Sequence, residues 1–440
     1  MIVMKFGGTS VGLPERMHSI AKLINSSERK IVVLSAVSGT TNTLVDISNK
    51  LFGGEKEKAI QITDELHKKY TVFVENLYSS NTFKEKSKEL IKEHFKFIKS
   101  FTKDLFTVYE ERAILAQGEL LSTALFQLYL EESNVSSKLL PALEFMRLTT
   151  DNEPDKQYIE QHLNAILSEN ENCNLFITQG YICRNSFGEI DNLKRGGSDY
   201  SASLIGAACN ATEIQIWTDI DGMHNNDPRI VNKTYPIREL SFDEAAELAY
   251  FGAKILHPSS ILPAREKNIP VRLLNTMQPD ASGTLISKET KGSDIKAVAA
   301  KDDITVIKIR SSRMLLAYGF LRSVFEVFER FKTPIDMITT SEVSVSLTID
   351  NTTNLEKIIT ELTSFGHVEY ESNQTIICIV GDGLADKKGL ALTVFSALKT
   401  IPIRMISYGG SKNNVSILIN SEHKNEALNA INKDIFKIES

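Results

Sequence analysis

The chain has 440 residues, 42% of them apolar and 24% charged, with a formal charge of −6 from 50 basic and 56 acidic side chains. That length exceeds one ordinary hydrophobic core and points to two or three domains, and the acidic balance argues against a general nucleic-acid surface. No apolar run approaches a membrane span, the N-terminus lacks a leader-like layout, and four scattered cysteines (Cys173, Cys183, Cys209, Cys378) lack C-x-x-C spacing, which fits a cytoplasmic protein with buried thiols better than a zinc site.

Ile2–Phe6 reads as a short apolar strand carrying one lysine, with Gly7, Gly8, Thr9 and Ser10 directly after it. A strand that ends in glycines and hydroxyls suggests a phosphate cradle, because bare N–H groups attract anions. It is not a P-loop, in which the lysine follows the glycines. Further strands are expected at Ile31–Val37, Lys138–Pro141, Leu175–Gln179, Glu213–Thr218 and Pro270–Leu274. Pro14 suits a first helical turn. Apolar spacings of three and four predict helices over Lys56–Tyr78, Lys84–Lys103 and Tyr109–Glu132. This alternation predicts a mostly parallel sheet between helical layers over residues 1–286.

Residues 287–300, beginning "SKETKGSDIK", are polar at first and read as a linker. Beyond them the order β-α-β, then β-α-β-β-α, predicts two small ferredoxin-like α+β modules, at 301–372 and 373–440, free to interleave. "GFLRSVFEVFERFKTPIDMITT" and "GLALTVFSALKTIPIRMISYGG" share glycine, amphipathic helix, proline and short strand, the mark of a duplicated module.

Five stretches are rich in glycine, hydroxyl or charged residues, "KFGGTS", "LSAVSGTTN", "AQGELLS", "LKRGGSDYSA" and "WTDIDGMHNNDPR", and a sixth, "FGAKILHP", joins them. In an open α/β sheet ligands bind beyond the carboxyl ends of the strands, so Lys5, Gly7, Gly8, Ser35, Arg195, Thr218 and Asp219 are expected around one crevice. Each has an ordinary structural alternative. Ser35 and Thr41 suit helix or turn caps, "DPR" suits a turn, Glu119 suits a solvated helix face, and eight histidines show no metal spacing.

Taken together and in order, these stretches closely resemble the signatures of the aspartate kinases, members of the amino-acid kinase superfamily with C-terminal ACT domains, and specifically the monofunctional lysine-sensitive type. The resemblance covers nearly the whole chain. It implies transfer of the ATP γ-phosphoryl group to the side-chain carboxylate of L-aspartate, at the head of lysine, diaminopimelate, methionine and threonine synthesis. It implies Lys5, Gly7, Gly8 and Asp199 at the moving phosphoryl group, with Asp199 orienting Lys5. Thr41, Glu119, Arg195, Gly196, Gly197 and Ser198 would hold aspartate, with Glu119 on its ammonium group and Arg195 on its α-carboxylate. Ser35, Thr218, Asp219, His224, Arg229 and Lys254 would hold the nucleotide, and Mg²⁺ would accompany ATP.

"RMLLAYGF" and "TPIDMITTSEVS" resemble the effector pocket of lysine-inhibited members, which implies Met314, Asp336, Thr340, Ser341 and Glu342 as lysine ligands and a homodimer or larger assembly through the ACT domains. Three positions depart from the pattern: His224 stands where the family often has tyrosine, and Ala317 and Pro334 where a lysine-sensitive relative has serines. No fused homoserine dehydrogenase is expected after Ser440. Two other readings are a different acyl or carbamate kinase on the same scaffold, and a non-catalytic lysine-binding subunit.

Overall fold

The computed structural model describes residues 1–103, 105–193, 196–252, 256–290, 295–314 and 318–438. They form two units. Met1–Met223, Arg238–Phe242 and Leu256–Glu289 make the first, and His224–Ile237, Asp243–Ile255 and Thr290–Ser440 the second.

The first unit is built on strands β1 (Ile2–Phe6), β2 (Lys30–Leu34), β3 (Lys138–Leu140), β4 (Leu175–Gln179), β5 (Ile182–Arg184), β6 (Ile190–Asn192), β7 (Glu213–Thr218), β8 (Glu239–Ser241), β9 (Val271–Asn275) and β10 (Thr284–Ser287). Eight form one sheet in the order β3-β4-β2-β1-β7-β9-β10-β8, and β5 and β6 make a separate hairpin. Every pairing in the eight-stranded sheet is parallel except β9 with β10. β2 and β4 are buried along their whole length, as apolar parallel strands are when helices cover both faces. β2 ends at Leu34 rather than Val37, so Ser35–Val37 leave the sheet as a loop.

Helix Val108–Glu132 is long and apolar enough to cross a membrane by length and composition alone, yet 67% of its apolar window is buried. Ile114, Leu121, Leu125 and Phe126 enter the core beside Phe6, Val32 and Leu34. A capping box at Thr107 and Glu110 fixes its start, and with it the height at which Glu119 meets the sheet edge.

The second unit contains β11 (Ile295–Arg310), β12 (Ile338–Thr340), β13 (Ser344–Ile349), β14 (His367–Gly381), β15 (Met405–Tyr408) and β16 (Asn414–Asn420), an antiparallel sheet in the order β12-β13-β11-β14-β16-β15. β11 and β14 pair along almost their full length, and each serves both modules. β13 takes the stretch of β11 from Thr305 to Arg310, and β16 takes that of β14 from Gln374 to Val380. The modules therefore interleave.

The expected linker at 287–300 needs correction, because Ile295–Ala300 is already strand, with Ala297, Val298 and Ala299 buried. The polar run before it hid a strand whose side chains pack inward. The register shifts between Lys301 and Ile304, where Asp303 adopts φ 59°, and this bulge divides the two modules. The sequence repeat has a backbone counterpart: Gly319 (φ 82°) and Gly389 (φ 79°) both precede helices, Phe320–Arg330 and Leu390–Ala397, in the left-handed region that glycine adopts without strain.

Candidate active site

The first unit brings five strand ends, those of β1, β2, β4, β7 and β9, to one rim. β1 lies between β2 and β7, so the chain order reverses across it, the place where open α/β sheets leave a crevice. The ladder continues just past each strand end. The Ser35 amide donates to Phe6 O (3.1 Å), Gly180 to Leu34 O (2.9 Å), Gly7 to Trp217 O (3.4 Å) and Thr276 to Thr218 O (2.8 Å). The rim borders a cavity of about 420 Å³ whose lining includes Gly8, Ser35, Thr41, Glu119, Tyr181, Gly197 and Ser198.

Lys5 rises from β1, and its Nζ is 2.6 Å from Asp199 Oδ1, with the two side chains only 12% and 18% exposed. A Cβ on Gly7 would sit in van der Waals contact with that Nζ, at 3.4 Å. The Gly7 amide is engaged by Trp217 O. Among the described residues the amides of Gly8, Thr9 and Ser10 make no backbone hydrogen bond. The open N–H groups therefore begin at Gly8, one residue later than the expected Gly7–Gly8 pair, and run to Ser10. Successive free amides of this kind form an anion nest.

Glu119 is 4% exposed, not solvated. The Ala36 amide donates to its Oε1 at 3.2 Å, and Oε2 is buried with no partner among the described residues. Burial pushes its carboxyl up to about 7. A buried carboxyl with one unsatisfied oxygen favours a cation that restores its charge, as an ammonium group does. Helix Gly197–Ala208 begins on the same cavity, where Ser35 Oγ donates to Ser198 Oγ at 2.9 Å. Helix Thr40–Phe52 also begins there, with Thr41 in its first turn. Helix N-termini attract carboxylates. The arrangement thus offers one end to a cation and two to anions, the charge pattern of an amino dicarboxylate. Ser35, expected among the nucleotide residues, stands against Ser198 on this side.

Gly180 permits the close packing, because a Cβ there would lie 2.4 Å from Ser198 Cβ. Neither Gly180 nor Tyr181 was among the expected site residues. "QGY" includes the end of β4 just as "KFGG" includes the end of β1, a signal for Gly180 but not for the left-handed turn at Tyr181.

Thr218 and Asp219 follow β7, with Thr218 Oγ1 donating to Asp219 Oδ1 at 3.1 Å. His224 and Arg229 belong to the second unit. There His224 Nδ1 is 2.7 Å from Thr234 Oγ1. Arg229 is held by Asp227 through Nε (2.9 Å) and Nη2 (2.7 Å), so "DPR" does form a turn with an internal ion pair. Arg195 and Lys254 lie outside the described residues.

A model of the amino acid kinase family matches residues 1–275, and one of the ACT domain matches residues 377–435. The lysine-sensitive aspartokinase 3 of Escherichia coli is 34% identical over 99% of both chains. The chain belongs to the aspartokinases of the amino acid kinase family. The crystal structure of E. coli aspartokinase III in complex with aspartate and ADP superposes on this aspartokinase with a TM-score of 0.85, at 33% identity over 99% of this chain and 100% of that one. The same enzyme in complex with lysine and aspartate gives a TM-score of 0.80 at the same identity, covering 99% of each chain.

The residues expected to meet an effector fall in the second unit of this aspartokinase. Met314 ends a short turn and packs half-buried against the core of Ile307, Val324 and Phe328. Thr340, Ser341 and Glu342 lie in the exposed β12–β13 hairpin, where Ser341 Oγ is 2.6 Å from Ser344 Oγ. Asp336 differs from the expected open carboxylate. Its side chain is 1% exposed, and its Oδ1 accepts from Lys301 Nζ (2.6 Å) and Tyr250 OH (2.9 Å). Pro334 is exposed, and Ala317 lies outside the described residues.

Proposed function

We propose that this aspartokinase phosphorylates the side-chain carboxylate of L-aspartate with MgATP, giving 4-phospho-L-aspartate and ADP. The observation that carries the reading is one cavity whose lining holds a buried, half-satisfied Glu119 and two helix N-termini, with Lys5 and the Gly8–Ser10 amides on the same strand rim.

The substrate ammonium replaces the missing partner of Glu119 Oε2. The α-carboxylate meets the amides at Gly197 and Ser198 with Arg195, and Thr41 and Ser35 donate hydroxyls. The side-chain carboxylate oxygen then forms a bond to the γ-phosphorus while the bond from that phosphorus to the β–γ bridging oxygen breaks, and ADP leaves with the electron pair. The transition state is loose and highly charged, so the protein contributes position and charge rather than covalent help. Lys5, aimed by Asp199, and the Gly8–Ser10 amides offset the charge on the moving group. Thr218, Asp219, His224, Arg229 and Lys254 hold the nucleotide. Among the described residues no three His, Cys, Asp or Glu side chains gather for a metal ion, and the magnesium is that of the MgATP substrate.

The reading includes feedback inhibition by lysine at the Asp336 region of the ACT modules, homodimers through those modules, and a cytoplasmic location. A coupled ADP-release assay against a panel of carboxylic acids tests it. L-Aspartate should support turnover, and a panel in which another acid is preferred, or none works with folded protein, overturns it.

A further inference from the structure

Among the described residues Tyr181 is the one large side chain with φ above zero on the rim of the cavity, at 65°. The Ile182 amide donates to Gly180 O at 2.7 Å, which makes Tyr181 the centre of a γ-turn of the rare, strained hand. For a bulky residue that backbone is a real outlier, and such strain persists only where the surroundings over-determine it. They do so here. The Tyr181 amide donates to Ser201 Oγ (2.8 Å), on the helix that carries Ser198 and Asp199. The Tyr181 carbonyl accepts from the Leu193 amide (2.9 Å), and Gly180 is pressed against Ser198. The turn places a half-buried tyrosine on the lining of the cavity.

Tyr181 shares the lining of this cavity with Glu119. Burial and the nearby carboxylates of Glu119, Glu111 and Asp191 push its phenol up to about 12, so it stays neutral. Asp191 is already paired with Arg112 at 2.7 Å, and Glu119 has its open Oε2. The Tyr181 hydroxyl makes no hydrogen bond among the described residues. A neutral oxygen on the same cavity as a half-satisfied carboxylate offers a second acceptor to one bound cation.

We infer that Tyr181 is a substrate-binding residue whose phenolic oxygen accepts a hydrogen bond from the ammonium group held by Glu119, so that the two residues together recognise an amino acid rather than a simple dicarboxylic acid. This rests on the aspartate kinase reading. An ammonium group carries three N–H donors, and Glu119 Oε2 uses one. The contact is the same in the bound substrate and the transition state, so it governs KM rather than kcat.

The test compares Tyr181→Phe with the wild type in steady-state assays with L-aspartate and MgATP, checking the fold by circular dichroism and thermal melting. Phenylalanine keeps the ring and loses the acceptor. A hydrogen bond to a charged group corresponds to a rise of about tenfold in KM for aspartate, with kcat and the KM for MgATP within about twofold of wild type. A second variant, Tyr181→Asn, keeps a residue that tolerates the left-handed backbone and should also raise only the aspartate KM. Unchanged aspartate KM in Tyr181→Phe overturns the inference, as does a fall in kcat without a change in KM. A wild type that turns over no aspartate defeats the underlying reading instead, which separates the two failures.

Discussion

Lys301 Nζ lies 2.6 Å from Asp336 Oδ1 and 2.9 Å from Asp350 Oδ2, and 4.5 Å from the centre of the Tyr250 ring. An ammonium group of the chain itself thus occupies the carboxylate that, on the proposed reading, a lysine effector would seek. Burial raises the Asp336 carboxyl, with Lys301 opposing that rise. Oδ2 stays buried and unpartnered among the described residues.

Replacing Lys301 by methionine leaves Asp336 with Tyr250 alone. Removing one partner of a buried ion pair costs about 3–5 kcal/mol, so the variant should melt earlier than wild type. It should also gain more from added lysine, because the effector's ammonium replaces the lost cation. Thermal shift and inhibition curves with and without lysine check both. A variant with wild-type melting and an unchanged inhibition midpoint would show that the pair does not compete with the effector.

Glu119 gives the enzyme a pH signature. Burial pushes its carboxyl up to about 7 in the unliganded fold, and on the proposed reading the substrate ammonium binds the ionised form. Below that value aspartate binding must expel a proton, so kcat/KM for aspartate should fall about tenfold per pH unit under 7 and level off above it. In stability the sign is the reverse. The folded carboxyl keeps its proton more tightly than the unfolded one, so the unliganded protein should lose stability as pH rises from the ordinary carboxylate range to about 7. Saturating aspartate should abolish that loss. Glu119→Gln should remove both slopes, and pH-dependent kinetics and melting measure them.

Lys5 and Asp199 are expected to affect turnover rather than binding. Lys5→Ala should lower kcat about 10²–10³-fold with the circular dichroism unchanged. Asp199→Asn, which keeps the shape but not the charge that aims Lys5, should lower it by up to about 10²-fold. Equal kcat in Lys5→Ala and wild type would remove Lys5 from the reaction.

Gly180 tests the packing. An added Cβ would meet Ser198 Cβ at 2.4 Å, and overpacking of this kind costs about 1–3 kcal/mol. Gly180→Ala should therefore lower the melting temperature and raise the aspartate KM by pushing the start of helix Gly197–Ala208 away from Ser35. Calorimetry with the same assay checks this, and a neutral variant would mean the helix start can shift freely.

Much of the fold was legible because its signals are local. β1, β4 and β7 begin and end where their apolar runs do. The duplicated modules left their glycine-helix pattern in the sequence. β5, β6, β8 and β10 were missed, since strands of three and four residues carry little alternation, although β3 registered. The start of β11 was hidden by the polar residues before it. In the site, Lys5 and Glu119 could be found from strand ends and motif order. The Lys5–Asp199 contact spans 194 positions and was inferred only through the family resemblance. Tyr181 escaped because nothing in a tyrosine marks a left-handed turn. The Asp336–Lys301 pair escaped because partners 35 positions apart have no sequence spacing to betray them.

The most direct measurement is the yield of β-aspartyl hydroxamate when the pure protein is incubated with L-aspartate, MgATP and hydroxylamine, set against ADP released. A cavity that binds the ammonium at Glu119 and turns the side-chain carboxylate toward Lys5 predicts one hydroxamate per ADP, none from L-glutamate, and loss of both products in Lys5→Ala. ADP released without hydroxamate, or an equal yield from glutamate, would contradict it.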